Sequence, residues 1–198
     1  MQTSKRFRFV EDYEVRHVPD KNGKLKKKVI YIGQWVQVLE DAEIYRKLVW
    51  RIRLFSLIAV VGLLPAIGLD HAASRCVYVI LPLVAGLFPL VYLLMGLFEI
   101  KATALRLEKR RYEEGIVRVK RSGMAVALFS GIGFGAYLLY WLLTFFGVAD
   151  ASGFGFADIL LIVGAPVAAL ASLLVHKMAG SVRTELQDNT EMTQNDAE

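Results

Sequence analysis

Five residues of the kinds that do chemistry gather where apolar segments end. Asp70, His71 and Cys76 share one short polar stretch, and Asp150 and Asp158 bound another. A cysteine beside a histidine is the pair from which an activated thiolate nucleophile is built. Histidine, cysteine and carboxylates together are the ligands of zinc and related metals. Both chemistries need side chains that converge, and the spacing supplies no such pattern: there is no His-x-x-x-His and no Cys-x-x-Cys. No catalytic, cofactor-binding or metal-ligating residue is assigned, and the chain is read as non-enzymatic. A second ionisable group, Glu99, Lys101, His176 and Lys177, marks the other segment ends, where pairing with one another or with lipid headgroups is expected. The glycine-rich run at 131–135 matches a phosphate loop in composition only, because no strand precedes it and no Lys-Ser/Thr follows.

The elements that hold these residues are apolar. The chain has 198 residues, of which 55% are hydrophobic and 22% charged. The two classes are segregated into blocks, which is the habit of membrane proteins. Spanning the hydrocarbon core takes about 18 or more apolar residues. Four uncharged runs qualify or nearly so: 54–69, 76–98, 122–149 and 159–175. The first can use Arg51 and Arg53 as snorkelling ends with Trp50 at the interface. The fold expected is an all-α integral membrane protein with four transmembrane helices, at about 50–70, 76–100, 121–147 and 157–177. These lie within a domain of residues 41–183 that includes a helical cytoplasmic loop at 101–120. Residues 1–40 form a small cytoplasmic β-hairpin region, and 184–198 a disordered acidic tail.

Basic residues set the orientation. Thirteen precede the first run, eight lie between the second and third, and two follow the fourth. The other side carries only Arg75. The positive-inside rule then places both termini in the cytoplasm of a multi-pass protein of the cell (inner) membrane. The first helix is expected to act as its own signal anchor, since no signal-peptide-like apolar stretch precedes it. This bias also accounts for the sequence pI of about 9.3, so nucleic acid is not an expected partner. The single cysteine excludes an internal disulfide.

Residues 13–18 and 29–32 alternate as strands do, around the turn residues 19–23. If Asn22 and Gly23 fill a two-residue turn, Arg16 faces Val29, Val15 faces Ile30 and Tyr13 faces Ile32. Lys24, Lys26, Lys27 and Lys28, with Trp35 and Trp50, are the expected membrane-surface residues. They either meet anionic headgroups or form a solvated tip. Residues 39–53 are expected to be helical, with Ile44, Leu48 and Ile52 on one face, running into the first membrane helix. Gly115 is the expected stop of a second helix continued past Glu99. Residues 116–120 are either a strand beside the hairpin or the start of helix three.

Gly123, Ala127, Gly131 and Gly135 recur every four residues in the third helix. Gly164, Ala168 and Ser172 do so in the fourth. Such rows let helix backbones approach closely. They are expected to pack the third helix on the fourth, with self-association as the rival. Pro65, Pro82, Pro89 and Pro166 free backbone carbonyls and either curve their helices or serve as hinges.

The expected function is that of a non-enzymatic accessory or scaffold subunit of a membrane complex. The alternative is a small transporter or channel component acting as an oligomer. The partners implied are the bilayer with its anionic headgroups, and a membrane-protein partner or further copies of the chain.

Overall fold

The computed structural model describes residues 12–19, 25–71, 73–147 and 155–187. It is mostly helical, and four helical segments are long and apolar enough to cross a membrane: Ala42–Gly68, Val77–Glu99, Lys109–Phe145 and Phe156–Gly180. The first, α1 (Ala42–Gly68), has 27 residues. At about 1.5 Å per residue it is longer than the roughly 30 Å hydrocarbon core. Its polar first turns, where Lys47 pairs with Glu43 at 2.7 Å, supply the excess.

The second segment is two helices, α2 (Val77–Ala85) and α3 (Leu87–Glu99), which meet at Gly86. The interruption has a local cause. Pro89 has no N–H to give the carbonyl four residues back, at Ala85. Gly86 N–H turns to the carbonyls of Pro82 and Leu83, at 3.0 and 3.1 Å, and Leu90 N–H resumes the ladder on Gly86. Pro65 and Pro166 are accommodated inside α1 and α6 (Phe156–Gly180) without a break.

Helix two does not continue past Glu99, contrary to expectation. The chain leaves it in extended form, makes the short strand β4 (Arg106–Glu108), and enters α4 (Lys109–Tyr112). A π-helical turn at Glu113–Val117 then feeds α5 (Arg118–Phe145) without interruption. Gly115 is therefore not a stop. It is buried inside this turn, and a Cβ there would lie 3.1 Å from Ile100 Cγ1, so the missing side chain lets two chain segments pass. Residues 116–120 belong to the start of the third of the long apolar helical segments, Lys109–Phe145.

Helix α6 (Phe156–Gly180) packs between α1 and α5, and α5 carries α2 and α3 on its other side. Buried positions in α1 are Tyr45, Val49, Ile52, Ser56, Ala59, Leu63 and Ala66. This alternation of fours and threes is the seam of interdigitating helices. The expected face at Ile44 and Leu48 is displaced by one residue: Ile44 is exposed, and Tyr45 and Val49 face the core.

At the end of the bundle that carries the basic residues, three chain segments make one antiparallel sheet in the order β4, β3 (Trp35–Val38), β5 (Thr184–Gln187). The central strand β3 (Trp35–Val38) buries Val36 and Val38. Its partner β5 (Thr184–Gln187) lies in the segment expected to be disordered. Pairing explains the difference. Val36 opposes Leu186, Leu39 N–H donates to the Arg183 carbonyl, and Glu40 Oε1 accepts from Arg183 N–H at 2.6 Å. The rest of the acidic tail, from Asp188, lies outside the described residues.

Strands β1 (Tyr13–Pro19) and β2 (Leu25–Tyr31) form the expected hairpin, but one residue out of the expected register. Tyr13 faces Tyr31, Val15 faces Val29 and Pro19 faces Leu25. The Asn22–Gly23 turn lies outside the described residues. A one-residue shift exchanges the faces. Here Tyr13, Val15, Val29 and Tyr31 share a side. The two tyrosines hold that register: their rings meet edge to face at 5.1 Å, Tyr13 donates to Glu108 and Tyr31 to the Gln34 carbonyl.

Candidate functional site

The buried polar residues nearest to a site lie at the end of the bundle opposite the basic one. Asp158 stands in the first turn of α6, where an acidic side chain is favoured by the helix dipole. Its Oδ2 accepts from Gly155 N–H at 2.9 Å, closing the helix start on itself. Its Oδ1 accepts from Tyr137 Oη at 2.9 Å, across from α5. Both residues are almost wholly buried. Above them His71, in the turn after α1, sets its ring edge-on to Tyr137 at 6.2 Å, and Tyr140 and Trp141 complete the aromatic wall.

Burial dominates the electrostatics of His71. It pushes the imidazole below its ordinary value, against the opposing pull of Asp158, the Ala66 carbonyl and Asp70. Neither ring nitrogen reaches a partner at full hydrogen-bond geometry, so the Ala66 contribution is weak. The ring is thus held neutral near pH 7 beside a carboxylate whose oxygens are both engaged. That arrangement locks α1, α5 and α6 together at this end.

Of the residues that sequence placed here, His71 and Asp158 converge, but on a tyrosine and not on a thiol or a metal. Cys76 caps the start of α2. Asp70 accepts from Ser74 Oγ at 2.6 Å. Asp150 lies outside the described residues. Among the described residues there is no group of three or more His, Cys, Asp and Glu able to hold a metal ion. Tyr137 lies among tyrosines of the apolar runs, a residue type that packs or anchors there more readily than it binds a cofactor, so sequence alone did not mark it. Its place in an uncharged run on the helix antiparallel to Asp158 was the available signal.

At the basic end His176 Nδ1 meets the Lys120 carbonyl at 2.9 Å. Glu99 and Lys101 are exposed. Arg53 of α1 donates to the Ile100 carbonyl at 2.9 Å, where α3 ends, as a cation at a helix C-terminus should. Trp35 is half-buried within the sheet, under the Arg106 guanidinium at 4.6 Å and edge-on to Tyr31 at 5.2 Å. Trp50 is exposed on α1. Lys27 is exposed, Lys26 and Lys28 lie in β2, and Lys24 lies outside the described residues.

The small-residue rows divide. Gly123 faces α6, where a Cβ would lie 3.1 Å from the Ser172 carbonyl oxygen, and Ala127 is buried beside it. Gly131 and Gly135 face outward, and a Cβ on either would meet nothing within 4 Å. They do not join the helix contact that sequence assigned to them. The reason is geometric: at 3.6 residues per turn, each step of four advances about 40° around the helix, so the three steps from Gly123 to Gly135 carry the row out of the interface. Gly133 takes over the inward position, against Leu83. On α6 the row is shared between neighbours. Ser172 meets α5, whereas Gly164 and Ala168 meet Gly62 of α1. Comparison of the chain with protein-family models, curated proteins and solved structures finds no match.

Proposed function

We propose that the chain is a multi-pass protein of the cell (inner) membrane, with both termini and the 101–108 segment in the cytoplasm. In this reading it acts as a non-enzymatic accessory or scaffold subunit that docks a partner on its strand module. One observation carries the reading: β3 gathers the segment before α1, the segment after α3 and the segment after α6 into one sheet. All three segments carry the basic residues that favour the cytoplasmic side. The module also leaves apolar groups uncovered. Val15 is 55% exposed, Val29 62% and Leu186 60%. A two-stranded hairpin is marginal by itself, so a partner that covers Val15 and Val29 would stabilise it.

The test is affinity purification from native membranes in mild detergent, with wild type beside Val29→Asp and Leu186→Asp. The reading expects one membrane protein in near-stoichiometric amount with wild type, and its loss with either variant while membrane insertion persists. Equal recovery with all three chains would contradict it.

The alternative, an oligomeric transporter or channel component, is favoured by Gly131 and Gly135, which leave a smooth outward strip on α5. It expects disulfide cross-linking between copies carrying Gly131→Cys or Gly135→Cys. Monomers only, at full labelling of the cysteine, would exclude this contact.

A further inference from the structure

At the basic end, α5 and α6 part to leave a groove of about 430 Å³. That is within the size range of small-ligand sites, roughly 300–1,000 Å³. Lys120, Arg121 and His176 line it together with Tyr112, Met124 and Val182, and no carboxylate does. Lys120 and Arg121 are exposed, and neither forms an ion pair among the described residues. Since a carbonyl only accepts, His176 Nδ1 must carry the proton it shares with the Lys120 carbonyl. That bond fixes the ring at the groove wall. The level of the groove matters too. The uncharged run of α5 begins at Ser122, immediately after Arg121, and that of α6 ends at Val175, immediately before His176. Cationic and apolar lining therefore meet where a lipid changes from headgroup to chain.

We propose that this groove is a binding site for an anionic phospholipid. Lys120 and Arg121 hold the phosphate, and Met124, at the start of the uncharged run of α5, forms the apolar wall that receives the first part of an acyl chain. Basic pockets between membrane helices take anionic headgroups in this way. The apolar wall distinguishes the lipid from free phosphate, which would gain nothing from it. The proposal rests on the membrane reading above and is independent of any partner protein.

The test uses the full chain, purified and delipidated in mild detergent and titrated with phosphatidylglycerol or phosphatidylcholine. Bound lipid is counted by native mass spectrometry. One phosphatidylglycerol per chain should bind in preference to phosphatidylcholine. Each charge removed should weaken it about fivefold, so Lys120→Gln/Arg121→Gln should lose about 25-fold. Lys101→Gln, an exposed control at the same end, should not. The charge-conserving Lys120→Arg/Arg121→Lys variant should keep the preference, and added salt should weaken binding to wild type, which needs no variant to fold. Equal affinity for the two lipids, or equal loss in the Lys101→Gln control, would overturn the proposal. So would displacement of the lipid by millimolar inorganic phosphate, which would assign the groove to a free anion. A chain that cannot be extracted from membranes or kept in detergent micelles would instead overturn the membrane reading itself.

Discussion

Gly62 of α1 and Gly164 of α6 meet backbone to backbone. A Cβ on Gly62 would lie 2.7 Å from the Gly164 carbonyl oxygen, and one on Gly164 would run into the carbonyl oxygen of Gly62. Backbone cannot yield as a side-chain tip can. In lipid, where burial gives helices little reason to associate, such close contact carries much of the packing.

A rank order of glycine substitutions follows. Gly164→Ala and Gly62→Ala should lower stability by about 1–3 kcal/mol, the usual cost of overpacking. Gly133→Ala would crowd the Leu83 side chain, while the Leu83 backbone stays at an ordinary contact distance of 3.6 Å, and should cost less. Gly131→Leu and Gly135→Leu should change little, because nothing lies in their way. Thermal unfolding in detergent measures the series. A loss at Gly131 or Gly135 equal to that at Gly164 would contradict the assigned helix faces.

The buried Tyr137–Asp158 bond gives a second prediction. Tyr137→Phe removes one donor from Asp158 and keeps the ring, so it should cost roughly 1–3 kcal/mol. The same substitution at exposed Tyr92 should cost almost nothing. Comparable unfolding midpoints for the two variants would show that the bond contributes little.

Acid should weaken the same end of the bundle through His71. Burial holds its folded pKa below 6.5. Between the two values the unfolded chain binds more protons than the folded one, so stability falls as pH drops from 6.5 toward the folded pKa. Above 6.5 this group contributes no slope. Unfolding midpoints measured from pH 7.5 down to 5 should show that limb in wild type, and a shallower one in His71→Gln. Identical limbs would remove His71 as a cause.

The four helices long and apolar enough to cross a membrane were legible because charge is absent from long runs, and that signal needs no knowledge of neighbours. Helix faces were less so. The row Gly123 to Gly135 keeps a period of four, whereas the buried seam of α5 alternates threes and fours through Ser130, Gly133, Tyr137 and Tyr140. Only the partner helix decides which of the two is used. The hairpin was visible in the alternation of residues 13–18. Its register was not, since Tyr13 and Tyr31 are placed by Glu108 and Lys109, distant in sequence, as well as by the nearby Gln34 carbonyl. Strand β5 was hidden for the same reason: Thr184–Gln187 is polar by composition and is ordered by the β3 edge beside it. Asp158 and His71 could be named from the sequence. Their meeting around Tyr137 depends on the α5–α6 contact, which spacing does not encode.

The central claim is that three separate segments lie together on one side of a membrane that four helices cross. Single cysteines in a Cys76→Ser background test it most directly, with a thiol reagent that cannot pass the membrane. Lys27, Lys101, Glu185 and Arg75 are all exposed, so each position can report. Cells carrying Arg75→Cys should label at once. Lys27→Cys, Lys101→Cys and Glu185→Cys should label only after the membrane is opened. Labelling of any of those three in intact cells, or protection of Arg75→Cys, would contradict the account.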